Sequence, residues 1–543
     1  MKNSSNNITL QNPLLGGVGA ADSLVEYGAR RVIITITAIL CALLEIVDTT
    51  IVNVALTHMQ GNLGATLPEV GWVITAYAIG NVIIVPMTSW LSQQFGRRNY
   101  FAASVILFTV CSFLCGNANG IWELVAFRFL QGLGGGALLV TSQTIITESY
   151  PVEKRGMAQA IYGLGVIIGP TLGPPLGGYI VENFSWPYIF YINIPIGIIA
   201  TLLTLQFVKS PKYAERKKLN EIDWLGIGLL ALTVGSLQYV LERGQEDDWF
   251  ESSTIVLLTS SAILGLFFFI WRELRYKNPI VDLRVLKNGN LRIGTVMSFI
   301  MGFGLYGSTF LIPLYTQTIL GWTAYQAGAL MIPAAIMTAF MMPMIGKLLT
   351  KGIKPQYLAA AGMFVFFIYS FWGFKIITPD TAKQDFFWML IARGVGLGLL
   401  FIPITALSLS SLKGQQIGQG AAFTGMMRQL GGSFGIALIT TIISRKVVTH
   451  SSALMSHLSG TDLNVQQRVT GITNAFISKG YTPDVALKMA YKSLQGMVMK
   501  QATVLSYMDI FLYLGIMFLV CLPIVLFVKK RKSLEKLDLS SAH

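Results

Sequence analysis

Fourteen stretches of roughly twenty mostly apolar residues divide this sequence, and no other feature limits its fold as much. A helix rises 1.5 Å per residue, so about twenty residues cross the ~30 Å hydrocarbon core of a bilayer. Lipid offers no partner for backbone N–H and C=O groups, and a helix satisfies its own. The first half of the chain supplies Val32–Ile51, Val70–Leu91, Phe101–Gly116, Ile121–Ile146, Met157–Val181 and Pro187–Phe207. A middle pair follows at Trp224–Leu241 and Thr254–Trp271. The second half supplies Ile293–Thr316, Gly328–Leu348, Tyr357–Ile376, Phe386–Leu409, Gln419–Ile442 and Val504–Val528. Only 12% of the 543 residues are charged, about half the share of an average soluble domain. The chain therefore reads as an all-α protein of the lipid bilayer. That excludes a soluble enzyme, a disordered chain and a nucleic-acid binder, despite a net charge of +14.

In a membrane protein a positive excess is read first by side, because Lys and Arg concentrate in cytoplasmic loops. With the end beside Arg30 and Arg31 inside, the cytoplasmic connections carry Gly96-Arg97-Arg98, Glu153-Lys154-Arg155, Arg216-Lys217-Lys218 and Lys529-Lys530-Arg531-Lys532. The opposite side takes the acidic run from Glu242 to Asp248 and short loops such as Asn117-Ala118-Asn119-Gly120. An odd number of spans would scatter the basic loops, so fourteen is preferred to thirteen, with both termini cytoplasmic. Residues 445–503 fall outside although mildly basic, and a loop of that length is largely exempt from the rule. The first span is expected to act as its own insertion signal, with no cleavable leader ahead of it. Cys41, Cys111, Cys115 and Cys521 lie in apolar runs without companion ligands and read as packing residues, so no metal is expected.

The chain also resembles itself. Gln131-Gly132-Leu133-Gly134-Gly135-Gly136 in the fourth span is echoed by Arg393-Gly394-Val395-Gly396-Leu397-Gly398 in the fourth span of the second half. Two six-helix bundles around two inserted helices follow, making fourteen transmembrane helices. The expected division is a cytoplasmic segment 1–31, a first bundle 32–208, a linker with the inserted pair 209–289, a second bundle 290–528 containing the outer loop 445–503, and a basic tail 529–543. Transporters built from parallel repeats hold substrate between the halves.

Ionisable residues inside spans are costly to bury and mark function. Glu45 and Asp48 lie three residues apart on one face of the first span, with Thr49, Thr50 and Asn53 extending the polar stripe. Removing water disfavours a carboxylate's charged form and a nearby cation favours it, so proton loading and cation binding compete at one place. Arg128, in the fourth span, needs a buried carboxylate or carbonyls, and Asp48 is the candidate. Arg393 and Arg428 are counterparts in the second half. In the fifth span Gly165, Gly169, Gly173 and Gly177 recur every four residues, a smooth groove for a neighbouring helix. Pro170, Pro174 and Pro175 remove backbone donors within it. No phosphate-cradling loop, nucleophile elbow or histidine cluster appears, so neither ATP nor chemistry on a substrate is expected, and no cofactor beyond a proton gradient.

These motifs resemble the major facilitator superfamily, in particular its fourteen-span drug:proton antiporter branch of EmrB-like multidrug export permeases. The resemblance rests on the run from Asp48 to Leu56, on Arg128–Gly132, on Gly165–Gly178, and on Ser236–Phe250 with Asn278–Leu283 around the inserted pair. It implies that Asp48, Glu45 and Arg128 couple proton movement and that Gly165–Gly178 serves export rather than uptake. The loop after the second span departs from the superfamily pattern: Ser89 stands where a glycine is usual and Gln93 where an aspartate is usual, while Gly96, Arg97 and Arg98 remain as a gating loop. Family membership further implies lipophilic small molecules and H+ as the transported partners. In double-membraned bacteria it implies a periplasmic adaptor and an outer-membrane channel, with the permease in the cytoplasmic membrane. Ala486, Met489, Ala490 and Leu494 give the outer segment an apolar helical face, either a docking element or a self-packed hairpin. Asn53, Trp72, Tyr77, Asn81, Gln131, Tyr306, Tyr315, Gln317 and Arg428 are the candidate cavity lining. The rival readings are a dedicated exporter of one endogenous metabolite, such as a siderophore or lipid precursor, and a non-transporting membrane scaffold or sensor.

Overall fold

The computed structural model describes residues 24–151, 154–211, 222–412 and 414–526. Arg216–Lys218, the tail 529–543 and most of segment 1–31 lie outside them. Within the described residues the chain is helical from end to end. The first half comprises α1 (Gly28–Leu63), α2 (Leu67–Phe95), α3 (Arg97–Gly116), α4 (Ile121–Ser149), α5 (Arg155–Asn183), the single turn α6 (Tyr188–Tyr191) and α7 (Asn193–Phe207). The inserted pair is α8 (Trp224–Arg243) and α9 (Ser253–Arg275). The second half holds α10 (Gly289–Thr318), α11 (Ala324–Leu330), α12 (Ile332–Thr350), α13 (Pro355–Ile376), α14 (Asp385–Leu409), α15 (Gln415–Ser456), α16 (Leu463–Ile477) and α17 (Pro483–Leu526). All fourteen apolar stretches fall on these helices, with α6–α7 and α11–α12 each forming one interrupted span. Among the described residues thirteen helical segments are long and apolar enough to cross a membrane; the Gly- and Pro-laden α5, 29 residues long, is not one of them.

Helix ends are set by residues that satisfy the first backbone donors. Asp223 opens α8 by accepting from the Gly226 N–H, Asn288 opens α10, and Thr323 with Gln326 forms a capping box at α11. Gly96, at φ +81°, turns the chain between α2 and α3 in one residue, a backbone conformation that suits glycine.

Both halves are built on backbone-to-backbone contacts made possible by glycine. A Cβ on Gly132 of α4 would lie 2.3 Å from the Tyr77 carbonyl oxygen of α2, and one on Gly80 would lie 2.4 Å from that of Phe129. In the second half, a Cβ on Gly302 of α10 would lie 1.9 Å from the Arg428 oxygen of α15, and one on Gly431 would lie 2.1 Å from that of Phe299. The inserted α8 touches both halves: Gly235 faces Ile79 and Ile83 of α2, and the Gln238 amide donates to Ser433 Oγ of α15 at 2.8 Å. Outside it, α9 exposes Ile263, Leu264, Phe267 and Trp271, a face suited to lipid.

Residues 445–503 form ordered helix rather than an irregular loop. The 42 residues of α15 and the 44 of α17 run well past the length one crossing needs. Between them α16 packs on α17, burying Val469, Ala486 and Ala490, while Met489 and Leu494 stay partly exposed. That is the arrangement of the self-packed hairpin. Asp509 anchors its base, meeting His450 Nε2 at 3.0 Å and Lys446 Nζ at 3.2 Å.

Candidate functional site

The residues that cost most to bury meet where α1, α4 and α7 cross. Asp48 is fully buried, and Arg128 Nη1 donates to its Oδ2 at 2.6 Å. The other carboxylate oxygen accepts from Gln131 Nε2 at 3.0 Å and from Asn193 Nδ2 at 2.9 Å. Gln131 and Asn193 both also reach Ser112 Oγ, at 3.1 and 3.0 Å, and that hydroxyl donates to the Phe190 carbonyl at 3.0 Å. The guanidinium is spent on Asp48, on Gln131 Oε1 at 2.7 Å and on the Val73 carbonyl at 3.2 Å. Its face lies 4.1 Å from the Tyr77 ring centroid, a cation–π contact strengthened by the absence of water. The result is a closed polar network in which every member holds the next.

Glu45 sits one helical turn away on the same face of α1 and accepts from Asn81 Nδ2 at 2.9 Å. Its methylene lies beside Gly135, where a Cβ would approach to 3.4 Å. Glu45 looks toward the second half: Arg428 of α15 and Tyr306 of α10 both lie within its electrostatic reach. Arg428 itself lies 5.2 Å from the Phe401 ring centroid. Glu45 thus marks the seam between the halves, and Asp48 the interior of the first.

The fifth-span glycines form one surface against α1. Gly165 faces Ile39, Gly169 faces Ile46, Gly173 faces Thr50 and Gly177 faces Ile51, with added Cβ atoms at 3.3, 2.4, 2.0 and 2.8 Å respectively. On the other side of α5, Pro174 and Pro175 press on Gly328 of α11, and Gly163 meets Met342 and Phe401. So α5, bearing Pro170, Pro174 and Pro175 inside its helix, is held between α1 and the second half.

At the Gly96 turn, buried Arg97 pairs with Glu148 in the last turn of α4. The Arg98 N–H donates to Ser210 Oγ at 3.2 Å. Gln93, standing where the family usually has aspartate, accepts from Gln415 Nε2 at 2.6 Å and so bridges the two halves.

Of the candidate lining, Tyr77, Asn81 and Gln131 join the Asp48–Glu45 cluster, and Tyr306 and Arg428 approach it from across the seam. Others lie elsewhere. Trp72 packs with Trp122, Tyr239 and Arg243 toward α8. Tyr315 is buried inside the second bundle, donating to the Thr378 carbonyl at 2.5 Å and packing on Phe386 and Tyr507. Asn53 and Gln317 are exposed. Aromatic residues near a span's middle pack bundles as readily as they line cavities. Sequence reasoning passed over Ser112, Asn193 and Glu148. The first two are neutral and cheap to bury, and each is one of several small or neutral polar residues in its apolar run.

The model of the Major Facilitator Superfamily matches residues 38–436. Fatty acid resistance protein FarB of Neisseria gonorrhoeae is 34% identical over 503 residues, 92% of this chain and 97% of that protein. Multidrug export protein EmrB of Escherichia coli K12 is 32% identical over 506 residues, 92% of this chain and 96% of its own. Among solved structures, the human organic anion transporter MFSD10 superposes with a TM-score of 0.56 at 13% identity, covering 91% of this chain and all of its own. The proton:xylose symporter XylE follows at 0.54 and 14%, covering 91% of this chain and 96% of its own. At such identities the structural likeness speaks for the fold alone.

Proposed function

The chain belongs to the major facilitator superfamily, a family of membrane transporters rather than enzymes, and from that membership we propose that it exports lipophilic and amphiphilic compounds across the bacterial cytoplasmic membrane in exchange for protons. The observation that carries this reading is the buried Asp48–Arg128 pair with its closed shell of Gln131, Asn193 and Ser112. Protonating Asp48 would leave Arg128 as an uncompensated buried charge, an arrangement that costs ~3–5 kcal/mol. A proton arriving at Asp48 therefore favours a different packing of α1 against α4 and α7, and that differential is what shifts a two-state equilibrium. Glu45, at the seam with Arg428, relays the change to the second half, and α5 is the pivot on which the halves rock. A gradient of about 100 mV supplies ~2.3 kcal/mol per proton, enough for roughly fifty-fold accumulation.

The proposed substrate class is supported by the relatives' names, multidrug export for EmrB and fatty acid resistance for FarB. Both termini are assigned to the cytoplasm, residues 32–208 and 290–528 to the two bundles, and 209–289 to the inserted pair. The helical projection of residues 445–503 then lies in the periplasm, where it would meet an adaptor that continues to an outer-membrane channel. A narrower reading, a dedicated exporter of one amphiphile, draws on FarB's name. In everted vesicles energised with a respiratory substrate, ethidium transport is expected from the unmodified protein and at background for Asp48→Asn. Undiminished transport by that variant removes Asp48 from the coupling.

A further inference from the structure

The fourth helix of the second half carries a buried arginine with no carboxylate. Arg393 of α14 is 4% exposed. Its Nε donates to Ser308 Oγ at 2.8 Å and its Nη2 to Thr309 Oγ1 at 2.6 Å, both on α10. Those hydroxyls donate their own protons to the Leu305 carbonyl, at 3.2 and 2.6 Å, so they face the guanidinium as neutral acceptors. Among the described residues no Asp or Glu forms an ion pair with Arg393, unlike Arg128 in the corresponding helix of the first half. Two of five N–H donors are used, leaving Nη1 and the second Nη2 proton. The hydroxyl of Tyr369 on α13 is fully buried, has no hydrogen-bond partner and lies within electrostatic reach of the same guanidinium. Around it are Phe366 and Phe511, with ring centroids 5.1 and 6.0 Å from that of Tyr369.

A cation in such a place is costly unless an anion completes it. We propose that Arg393 is a binding site for the carboxylate head of an amphiphilic substrate. The free guanidinium edge is a planar fork that matches a carboxylate's two oxygens. Thr309 retains partial exposure on α10, so the site has an edge that cargo reaches. The position where the first half has its own aspartate is thus left for the transported molecule. This assignment rests on the exporter reading for its source of ligand, but its binding step does not.

The test is direct binding of radiolabelled dodecanoate to the full-length protein in nanodiscs, with dodecanol as the uncharged competitor of equal length. The unmodified protein is expected to prefer dodecanoate at least tenfold. Arg393→Met should reduce dodecanoate affinity at least tenfold, and Arg393→Lys, which keeps the charge but not the fork, by less. Thr309→Asp supplies an internal anion: it should also abolish dodecanoate binding while raising the melting temperature, which a variant that merely misfolds would lower. Equal affinity in the unmodified protein and both Arg393→Met and Thr309→Asp overturns the proposal, as does equal binding of dodecanol. Chloride carries the same single charge. Acetate competing as well as dodecanoate, with both lost when chloride replaces gluconate, assigns the site to a free inorganic anion and overturns the head-group assignment. Ethidium efflux by the unmodified protein tests the exporter reading separately: its failure there, with dodecanoate binding intact, discards export and keeps the site.

Discussion

Helices α4 and α14 occupy equivalent places in the two halves, and each turns a buried arginine toward the first helix of its own bundle. Arg128 meets a carboxylate, Asp48, inside a network closed by Gln131, Asn193 and Ser112. Among the described residues, Arg393 hydrogen-bonds only the hydroxyls of Ser308 and Thr309. The glycine frames around them are alike in kind: a Cβ on Gly132 would lie 2.3 Å from the Tyr77 carbonyl oxygen of α2, and one on Gly394 would lie 2.4 Å from that of Ala334 on α12. The difference teaches that the repeat was kept where it packs helices and abandoned where it balances charge. One half owns its anion, the group to which the proposed function gives the proton; the other holds a cation with no carboxylate of its own among the described residues.

The comparison breaks hardest at Asp48. Asp48→Asn strands Arg128, and unfolding in detergent should show a loss of ~3–5 kcal/mol together with efflux at background. The double variant Asp48→Asn/Arg128→Gln should recover most of that stability and none of the efflux, because the stranded charge is gone but the proton carrier is too. Stability that stays lost would mean the network holds the bundle by more than its charges. A smaller effect separates the α2–α4 contact at Gly132 from the α13–α14 contact at Gly396. Gly132→Ala drives a methyl into the Tyr77 carbonyl, whereas at Gly396 the nearest atom is 3.2 Å away. Overpacking of this kind costs ~1–3 kcal/mol, so Gly132→Ala should lower the melting temperature clearly and Gly396→Ala little. Equal shifts would deny that α2–α4 contact is the tighter. Removing the stranded cation should do the opposite of removing a paired one: Arg393→Met is expected to leave the melting temperature of the substrate-free protein unchanged or raised. The smallest effect lies at the bridge between halves. Gln415→Ala removes one hydrogen bond to Gln93, worth about 1 kcal/mol or less, and should raise the alkylation rate of a cysteine placed at Gly418, which packs on Ser89, without a measurable change in melting temperature.

What could be read from the sequence was what carries a local cost or a local period. Asp48 and Arg128 stood out because a charge in an apolar run must have a reason, and their partnership followed from their being the deepest pair of opposite sign. The glycines of α5 were legible as a four-residue period, and the structure lays them in register on Ile39, Ile46, Thr50 and Ile51. The partner helix was not legible, since a period names a face and not what covers it. Asn193 and Ser112 were passed over because neutral side chains bury without a conspicuous penalty and the contact between Asn193 and Asp48 spans 145 residues of sequence. Glu148 was hidden for a different reason: it lies two residues beyond the apolar stretch that ends at Ile146, yet it is buried against Arg97. Trp72 and Tyr315 were drawn to a cavity by their chemistry, while the bundle uses one against α8 and the other in its own core. Residues 445–503 were too polar to register as spans, although their helical period was already in the sequence.

Proton exchange at Asp48 is most directly tested by proton counting on the purified, detergent-solubilised protein in weakly buffered solution containing a pH indicator. Adding saturating ethidium should release about one proton per protein molecule from the unmodified chain and none from Asp48→Asn. Release that persists undiminished in Asp48→Asn, or ethidium bound by the unmodified protein with no proton released, would contradict the coupling.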